Sequence, residues 1–481
     1  MIKGPREFVC TLTFLAISLT LSWSQAGSAA PRAGGETEGS VTQPVPDTPQ
    51  TNQSSPISDS NQPSIGAANS ASPSYLGIGL HLSGGAEGGS GGTGNSSSVA
   101  PISSILGSIN LQKLWHRSGT DIDYAGGATF NGSYDGSAAY VEQLHALDAG
   151  EHIFWQKTQL VFRNSFSYSH DGNFGASSFG GASAYNLRFA ENGASLPDNV
   201  GGGDYVGATQ IGTTQTPFGA ESYVTNASVA SLTEALTRRS SISFNASYSI
   251  SDYIGTSQGL LDFRQITTQA SYNYQLTRRD SLGFVYGYQR FQYTQAGVGN
   301  ITTNSVQLVY RHRILARLNL VLGGGPEVTR VAGSTGSNGQ QLNATAQASL
   351  QYSRNGYNLG VSYNRLETGG YGVFAGGNSN IFRLSIARTV SRLWSVRFDG
   401  GYAATTSTET NLPALSEGSY DYGFAGGAVQ RQLGPRFSAF ASYQFNYEDS
   451  PCGASPSCAS VFQQHIASIG VDWNLRPIRL E

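Results

Sequence analysis

Residues 241–251 read Ser-Ile-Ser-Phe-Asn-Ala-Ser-Tyr-Ser-Ile-Ser, and the alternation in this stretch decides the fold. Ile242, Phe244, Ala246, Tyr248 and Ile250 are apolar, whereas Ser243, Asn245, Ser247 and Ser249 are small and polar. Successive side chains of a strand point to opposite faces, so the segment has one apolar and one polar face. A single segment of this kind is an ordinary half-buried strand. The chain, however, repeats the pattern almost to its last residue. Leu342, Ala344, Ala346, Ala348, Leu350 and Tyr352 oppose Asn343, Thr345, Gln347, Ser349 and Gln351. Phe437, Ala439, Ala441, Tyr443, Phe445 and Tyr447 oppose Ser438, Ser442, Gln444 and Asn446, with Phe440 breaking the polar face. Each segment runs about 9–11 residues, the length of a tilted strand that crosses a bilayer.

Composition agrees with strands that face lipid. Only 12% of the 481 residues are charged, against roughly 25% in an average soluble domain, and there are 61 glycines. No internal apolar run of about 18 residues exists, so helical spans are ruled out. In a soluble sandwich the apolar face would favour Val, Ile and Leu packed on a second sheet. Here it mixes Ala with Tyr and Phe near segment ends, as an aromatic girdle does. A net charge of −3 gives no reason to expect a nucleic-acid partner.

Short turns punctuate the segments. They are expected at Arg117-Ser118-Gly119, Asp148-Ala149-Gly150, Thr237–Ser240, Thr277–Asp280, Leu315-Ala316-Arg317, Arg354-Asn355-Gly356, Ser391-Arg392 and Leu433-Gly434-Pro435. From Arg238 through Arg278, Arg317, Arg354 and Arg392 to Leu433 the steps are 40, 39, 37, 38 and 41 residues. That period is one hairpin plus its longer loop. A propeller would share it, but no Gly-His or Trp-Asp blade signature recurs. The first strand is expected over Tyr75–Ser83, followed by a glycine-rich loop, Gly84–Gly94. One strand before that loop, two for each of eight turns and one at the end predict about 18 strands. Weak alternation in Tyr223–Leu236 and before Trp155 leaves 16 as the alternative. The fold class is all-β: a transmembrane antiparallel up-and-down barrel with short periplasmic turns and long extracellular loops.

Lys3 and Arg6, the apolar run Phe8–Leu21 and Ser24-Gln25-Ala26 read as a cleavable export signal, residues 1–26. Residues 27–73 are rich in Ser, Pro, Gln, Asn, Thr and Gly and read as a disordered periplasmic tether. The barrel is expected over 74–475, with a short tail over 476–481. Cys452 and Cys458, close together between two strands, fit a loop disulfide in an oxidising compartment. The longest loop, 171–221, is expected to fold over or into the barrel mouth.

Alternation places Arg383, Arg397 and Asp399 on the inward face, where they either tune selectivity or form an internal salt bridge. Arginines crowd the turns and acids the long loops. Asp252, Glu409 and Glu417 would line an acidic outer mouth that concentrates cations. Gly88-Gly-Ser90-Gly-Gly92 fits a nucleophile-elbow pattern but lacks its strand-to-helix context. His170-Asp171 has no nucleophile beside it, so no catalytic, metal or cofactor site is assigned.

Near the end, Ser468-Ile-Gly470-Val-Asp-Trp473-Asn-Leu475 places a polar residue, a glycine two on, and hydrophobics three and five beyond it. This resembles the final-strand signal read by the barrel assembly machinery of Gram-negative bacteria, although Arg476–Glu481 follows where such chains usually stop on an aromatic. Export signal, tether, repeated hairpins and this signal together resemble porin-like bacterial outer-membrane β-barrels. The resemblance implies an outer-membrane location, lipid and the assembly machinery as partners, and a pore for passive or facilitated diffusion of small polar solutes. Alternatives are a conduit or anchor for export of a surface polymer, or a closed barrel that displays loops for adhesion. An apolar band suits lipid and a trimer contact alike, so the oligomeric state is left open.

Overall fold

The computed structural model describes residues 74–90, 98–132, 140–169, 223–254, 261–294, 299–315, 317–332, 338–354, 356–369, 375–408, 419–449 and 461–480. Among them every regular element is a strand. In chain order these are β1 (Tyr75–Ser90), β2 (Ser98–Leu114), β3 (Ser118–Asn131), β4 (Tyr140–Phe154), β5 (Thr158–Ser169) and β6 (Tyr223–Ala235). Next come β7 (Ser240–Tyr253), β8 (Phe263–Gln275), β9 (Asp280–Tyr293), β10 (Asn300–Leu315), β11 (Leu318–Ala332) and β12 (Asn338–Arg354). The last are β13 (Tyr357–Thr368), β14 (Gly377–Thr389), β15 (Trp394–Ser407), β16 (Ser419–Gln432), β17 (Phe437–Asp449), β18 (Val461–Asn474) and the two-residue β19 (Ile478–Arg479).

Each strand pairs antiparallel with the next, and β18 returns to pair with β1 from Gly79↔Asn474 to Ser90↔Gln463. The sheet is therefore a closed 18-stranded up-and-down barrel. The tail also joins it: Ile478 and Arg479 of β19 pair with Leu76 and Tyr75, and the Leu480 amide donates to the Ser74 carbonyl at 2.9 Å. All the short turns fall at one end of the strands, here the turn end, and the long connections at the other, the loop end. Two expected boundaries are corrected. Asp148-Ala149-Gly150 lies inside β4, paired with Asp123, Ile122 and Asp121, and the turn falls instead between Phe154 and Thr158. Gly84–Ser90, expected as loop, continues β1 with both ladders intact, because β2 and β18 supply partners on either side and hydrogen bonding outweighs glycine's backbone entropy.

The alternation of residues 241–251 is realised as inside against outside. Ser243 is fully buried and its neighbour Phe244 is 50% exposed; Asn245 and Ser251 are buried, Tyr248 exposed. Other strands follow: Gln265, Thr267, Gln269 and Ser271 point inward on β8, and Phe284 and Tyr286 outward on β9. Long apolar side chains thus cover the outside and polar ones line the inside. The exposed turn arginines Arg238, Arg239 and Arg392 form part of the rim at the turn end, where such side chains reach lipid phosphate. This polarity gives a direct check. Ala246→Arg, on the outward face of β7, is expected to cost about 2–4 kcal/mol near the bilayer midplane. The inward Ser247→Arg should cost clearly less when both are unfolded from lipid vesicles with urea; equal costs would contradict the facing.

Candidate functional site

The inward registers bring charged groups from distant parts of the sequence together. On β14 and β15, Arg383 Nη2 donates to Asp399 Oδ2 at 2.7 Å and Arg383 Nε to Asp399 Oδ1 at 3.2 Å. The two side chains are almost fully buried. Gly401 lies opposite Arg383 on β15, so no side chain there competes with the guanidinium for space along the wall. Of the two readings open from sequence, the structure shows an internal salt bridge for this pair. Arg397 shares their face, one step nearer the turn end.

A second group spans β18 to β5. Arg163 Nε donates to Asp148 at 2.8 and 3.0 Å, and Ser165 Oγ to the same carboxylate at 3.0 Å. Asn110 donates to Asp123, and His152 Nε2 lies 3.2 Å from Asp121. His81 Nδ1 contacts Asp472 at 2.7 Å, and Gln430 and Ser438 donate to the second Asp472 oxygen at 3.4 Å. Further toward the loop end, Gln464 donates to Glu87 and accepts from Asn446 at 2.8 Å. Phe440, the lone break in the polar face, stacks on His81 with ring centroids 4.9 Å apart and planes 16° apart.

The third group closes part of the loop end. β12 pairs with β11 as far as Asn338, but its ladder with β13 stops at Ala346↔Arg365. Beyond that point the end of the β13–β14 hairpin turns inward. The Tyr293 hydroxyl donates to the Gly369 carbonyl at 3.2 Å, although β9 stands four places from β13 in the barrel. A Cβ on Gly369 would sit 2.9 Å from the Phe263 ring, and one on Gly376 2.2 Å from Ile301. Gly376 also has φ +76°, a left-handed conformation that glycine alone adopts without strain. Leu261, Phe263, Phe291, Tyr293, Ile301, Val331 and Ala375 form the buried apolar cluster on which this hairpin end rests. Beside it, Glu367 accepts from the Thr408 hydroxyl, and Gln341 donates to the Thr408 carbonyl at 3.4 Å. Glu327 faces the Glu367 backbone and the Arg365 guanidinium, yet neither of its oxygens makes a well-formed hydrogen bond.

The remaining expected residues fall as follows. Ser468 is inward and shares a 2.6 Å hydrogen bond with Ser442; Gly470 follows it on the same face beneath Phe440; Trp473 turns outward; the Leu475 amide donates to Ile78 at 2.8 Å. Asp252 does lie at the loop end of β7, but on the outward register with Phe244 and Tyr248, so it does not line the mouth from within. An odd-numbered neighbour, not Asp252, would have been needed for that. Glu409, Glu417, Cys452, Cys458, His170-Asp171 and the 171–221 loop lie outside the described residues. Sequence reading missed Asp148 by taking it for a turn. It passed over His81, Glu327 and Asp472, which alternation alone would have put inward. Nothing in the sequence marks Glu367, because its burial depends on the hairpin leaving the wall.

The closed ladder, polar inside and apolar outside settles the architecture. The chain is a closed antiparallel β-barrel of transmembrane type. Solved structures of similar shape include the Pseudomonas aeruginosa proteins OccK7 (10% identity, 84% of this chain and 100% of that one, TM-score 0.40) and OpdL (11%, 83% and 98%, 0.38). The FrpB iron transporter of Neisseria meningitidis is a third (9%, 83% and 81%, TM-score 0.39). No protein-family model and no curated protein matches the chain. The barrel assignment rests on this chain's own strand register.

Proposed function

We propose that the protein is exported through its N-terminal signal and inserted in the outer membrane by the barrel assembly machinery. There it forms a pore for passive or facilitated diffusion of small polar solutes, with a preference for cations. The polar inward face carries this reading, since an 18-stranded wall encloses more space than its own side chains need. Cation preference follows from the β18–β5 sector, where Glu87, Asp121, Asp123, Glu142, Asp148 and Asp472 share the inward face with Arg163. Acids lining one side of a channel concentrate cations along it. A second reading is a conduit for export of a surface polymer, supported by the Tyr293–Gly369 contact, which brings part of the β13–β14 hairpin across the loop end.

The test is planar-bilayer conductance of the purified mature protein, intact and with 171–221 deleted. Steady ohmic steps with a cation-selective reversal potential are expected, and Asp121→Asn with Asp123→Asn should move that potential toward zero. Silence that gives way to conductance on deletion would mean that 171–221 plugs the barrel, and would favour the export conduit. Silence in both forms, with the barrel shown folded, would sink the pore.

A further inference from the structure

Long apolar side chains cover the outside of the barrel, but near the loop end a line across three adjoining strands carries charge. Arg290 of β9, Thr302 of β10 and Arg330 of β11 are register partners, Arg290↔Thr302↔Arg330. Their sequence neighbours Gln289, Phe291, Ile301, Thr303, Thr329 and Val331 are buried on the lumen side, so all three point outward. Arg330 is exposed, and Arg290 is half-buried with Nη2 and Nε 3.1 and 3.2 Å from the Gln292 side-chain amide on its own strand. Among the described residues, the loop-side halves of β9 to β12 carry no outward acid, and the connecting residues 295–298 and 333–337 contain no Asp or Glu. Arg264 on β8 differs, because Asp252 takes the next outward position of β7 past Ile250, its register partner. Asp262, beyond the end of β8, already accepts from the Tyr253 amide at 2.8 Å and the Thr294 hydroxyl at 3.5 Å.

Height decides what meets the two guanidiniums. Ten residues separate Arg290 from Asp280, where β9 starts at the turn end. At about 3.4 Å per residue and a tilt of about 40°, that is a rise of about 26 Å, close to the roughly 25 Å of a barrel's apolar band. The pair therefore stands at the border of the band, on the opposite side from the turn rim. Toward the bilayer centre the outward strip is apolar: Tyr286 and Phe284 on β9, then Val306 and Leu308 on β10, the last 56% exposed. Strands two apart lie roughly 10 Å from each other, within reach of two long side chains that converge on one anion. The forked donors of arginine match a phosphate group, and at a membrane surface lipid supplies it. A fixed place on paired strands, on either side of one hydroxyl, sets this pair apart from the turn arginines.

We propose that Arg290 and Arg330 clamp the phosphate of a membrane lipid in the leaflet at the loop end. The Thr302 hydroxyl between them is a third donor, and the acyl chains lie along Tyr286, Val306 and Leu308. One side of the barrel thereby keeps a bound lipid while the rest of the outer wall exchanges its lipids freely. The clamp rests on a membrane-embedded barrel, as the pore reading does, but not on an open lumen.

The test uses the full mature protein, folded in neutral detergent and titrated with dioleoyl phosphatidic acid or with dioleoylglycerol, which lacks the phosphate. Native mass spectrometry counts the lipids retained, and heat-modifiable mobility on gels shows that each variant is folded. One phosphatidic acid per barrel is expected, held about tenfold better than the diglyceride, as a charge-assisted hydrogen bond implies. Arg290→Gln/Arg330→Gln should remove the preference, and Arg238→Gln/Arg239→Gln at the turn rim should keep it. Retention that survives the first double variant, or falls equally in the second, would overturn the clamp. Displacement of the lipid by an equal concentration of inorganic phosphate would show a free-anion site and overturn the lipid as its occupant. A barrel that stays silent in planar bilayers yet holds the lipid would remove the pore and leave the clamp standing; conductance without any lipid preference would do the reverse.

Discussion

Arg383→Ala is expected to destabilise the folded barrel by about 3–5 kcal/mol, the usual result of removing one partner of a buried ion pair. The remaining Asp399 carboxylate would keep its two oxygens in a nearly water-free place with neither of the guanidinium donors now 2.7 and 3.2 Å away. The size of the effect comes from that stranded charge more than from the attraction lost. A double change that removes both charges and keeps volume, Arg383→Met with Asp399→Leu, should therefore recover most of the stability. Urea unfolding in vesicles, followed by tryptophan fluorescence, measures all three proteins. A single variant no less stable than the double one would mean that water reaches the pair and that its burial does not govern its energy.

Gly470→Val should be the most damaging small change in the closing strand. A Cβ at this position would stand 2.4 Å from the Leu82 carbonyl oxygen and 2.4 Å from the Phe440 ring, closer than real Cβ atoms approach. One methyl already overpacks the site, so Gly470→Ala should cost about 1–3 kcal/mol, and valine more. The glycine is the floor on which Phe440 lies, an aromatic ring covering a bare backbone position in a neighbouring strand. The double variant Gly470→Ala/Phe440→Ala separates the two contacts, since it removes the ring and leaves the carbonyl. Partial recovery is expected in the fraction of protein that shows heat-modifiable mobility on gels. Full recovery would assign the whole requirement to Phe440, and none would assign it to the backbone of β1.

The final-strand pattern thus carries packing information besides the resemblance that first drew attention to it. Strand positions and their facing were legible from residues 241–251 outward, because a two-residue period in a wall between lipid and lumen leaves little freedom. Eight short turns were expected, and the one misplaced, at Asp148-Ala149-Gly150, was misread for a physical reason. Turn-forming residues inside a long strand are indistinguishable from a real turn until the partner strands fix the ladder. Arg383 and Asp399 were placed inward by register, but their bond could not be, since it depends on the diagonal between two strands and on Gly401 having no side chain. The hairpin that turns in over Ile301 and Phe263 had no sequence signal at all. Beyond Arg365 both faces of β13 are buried, so Glu367, outward by alternation, ends with no exposed surface.

A ring of ladders has no terminal strand from which to fray. Detaching any one strand of this barrel breaks hydrogen bonds on two sides at once, and even the tail is stitched down beside Ser74. Unfolding is then an all-or-nothing event with a high threshold, except where the ring is already cut. Among the described residues, β12 holds one neighbour instead of two over residues 342–345. That cut therefore sets the place where the barrel would begin to come apart, and the endurance of the whole ring is fixed by its one weak seam.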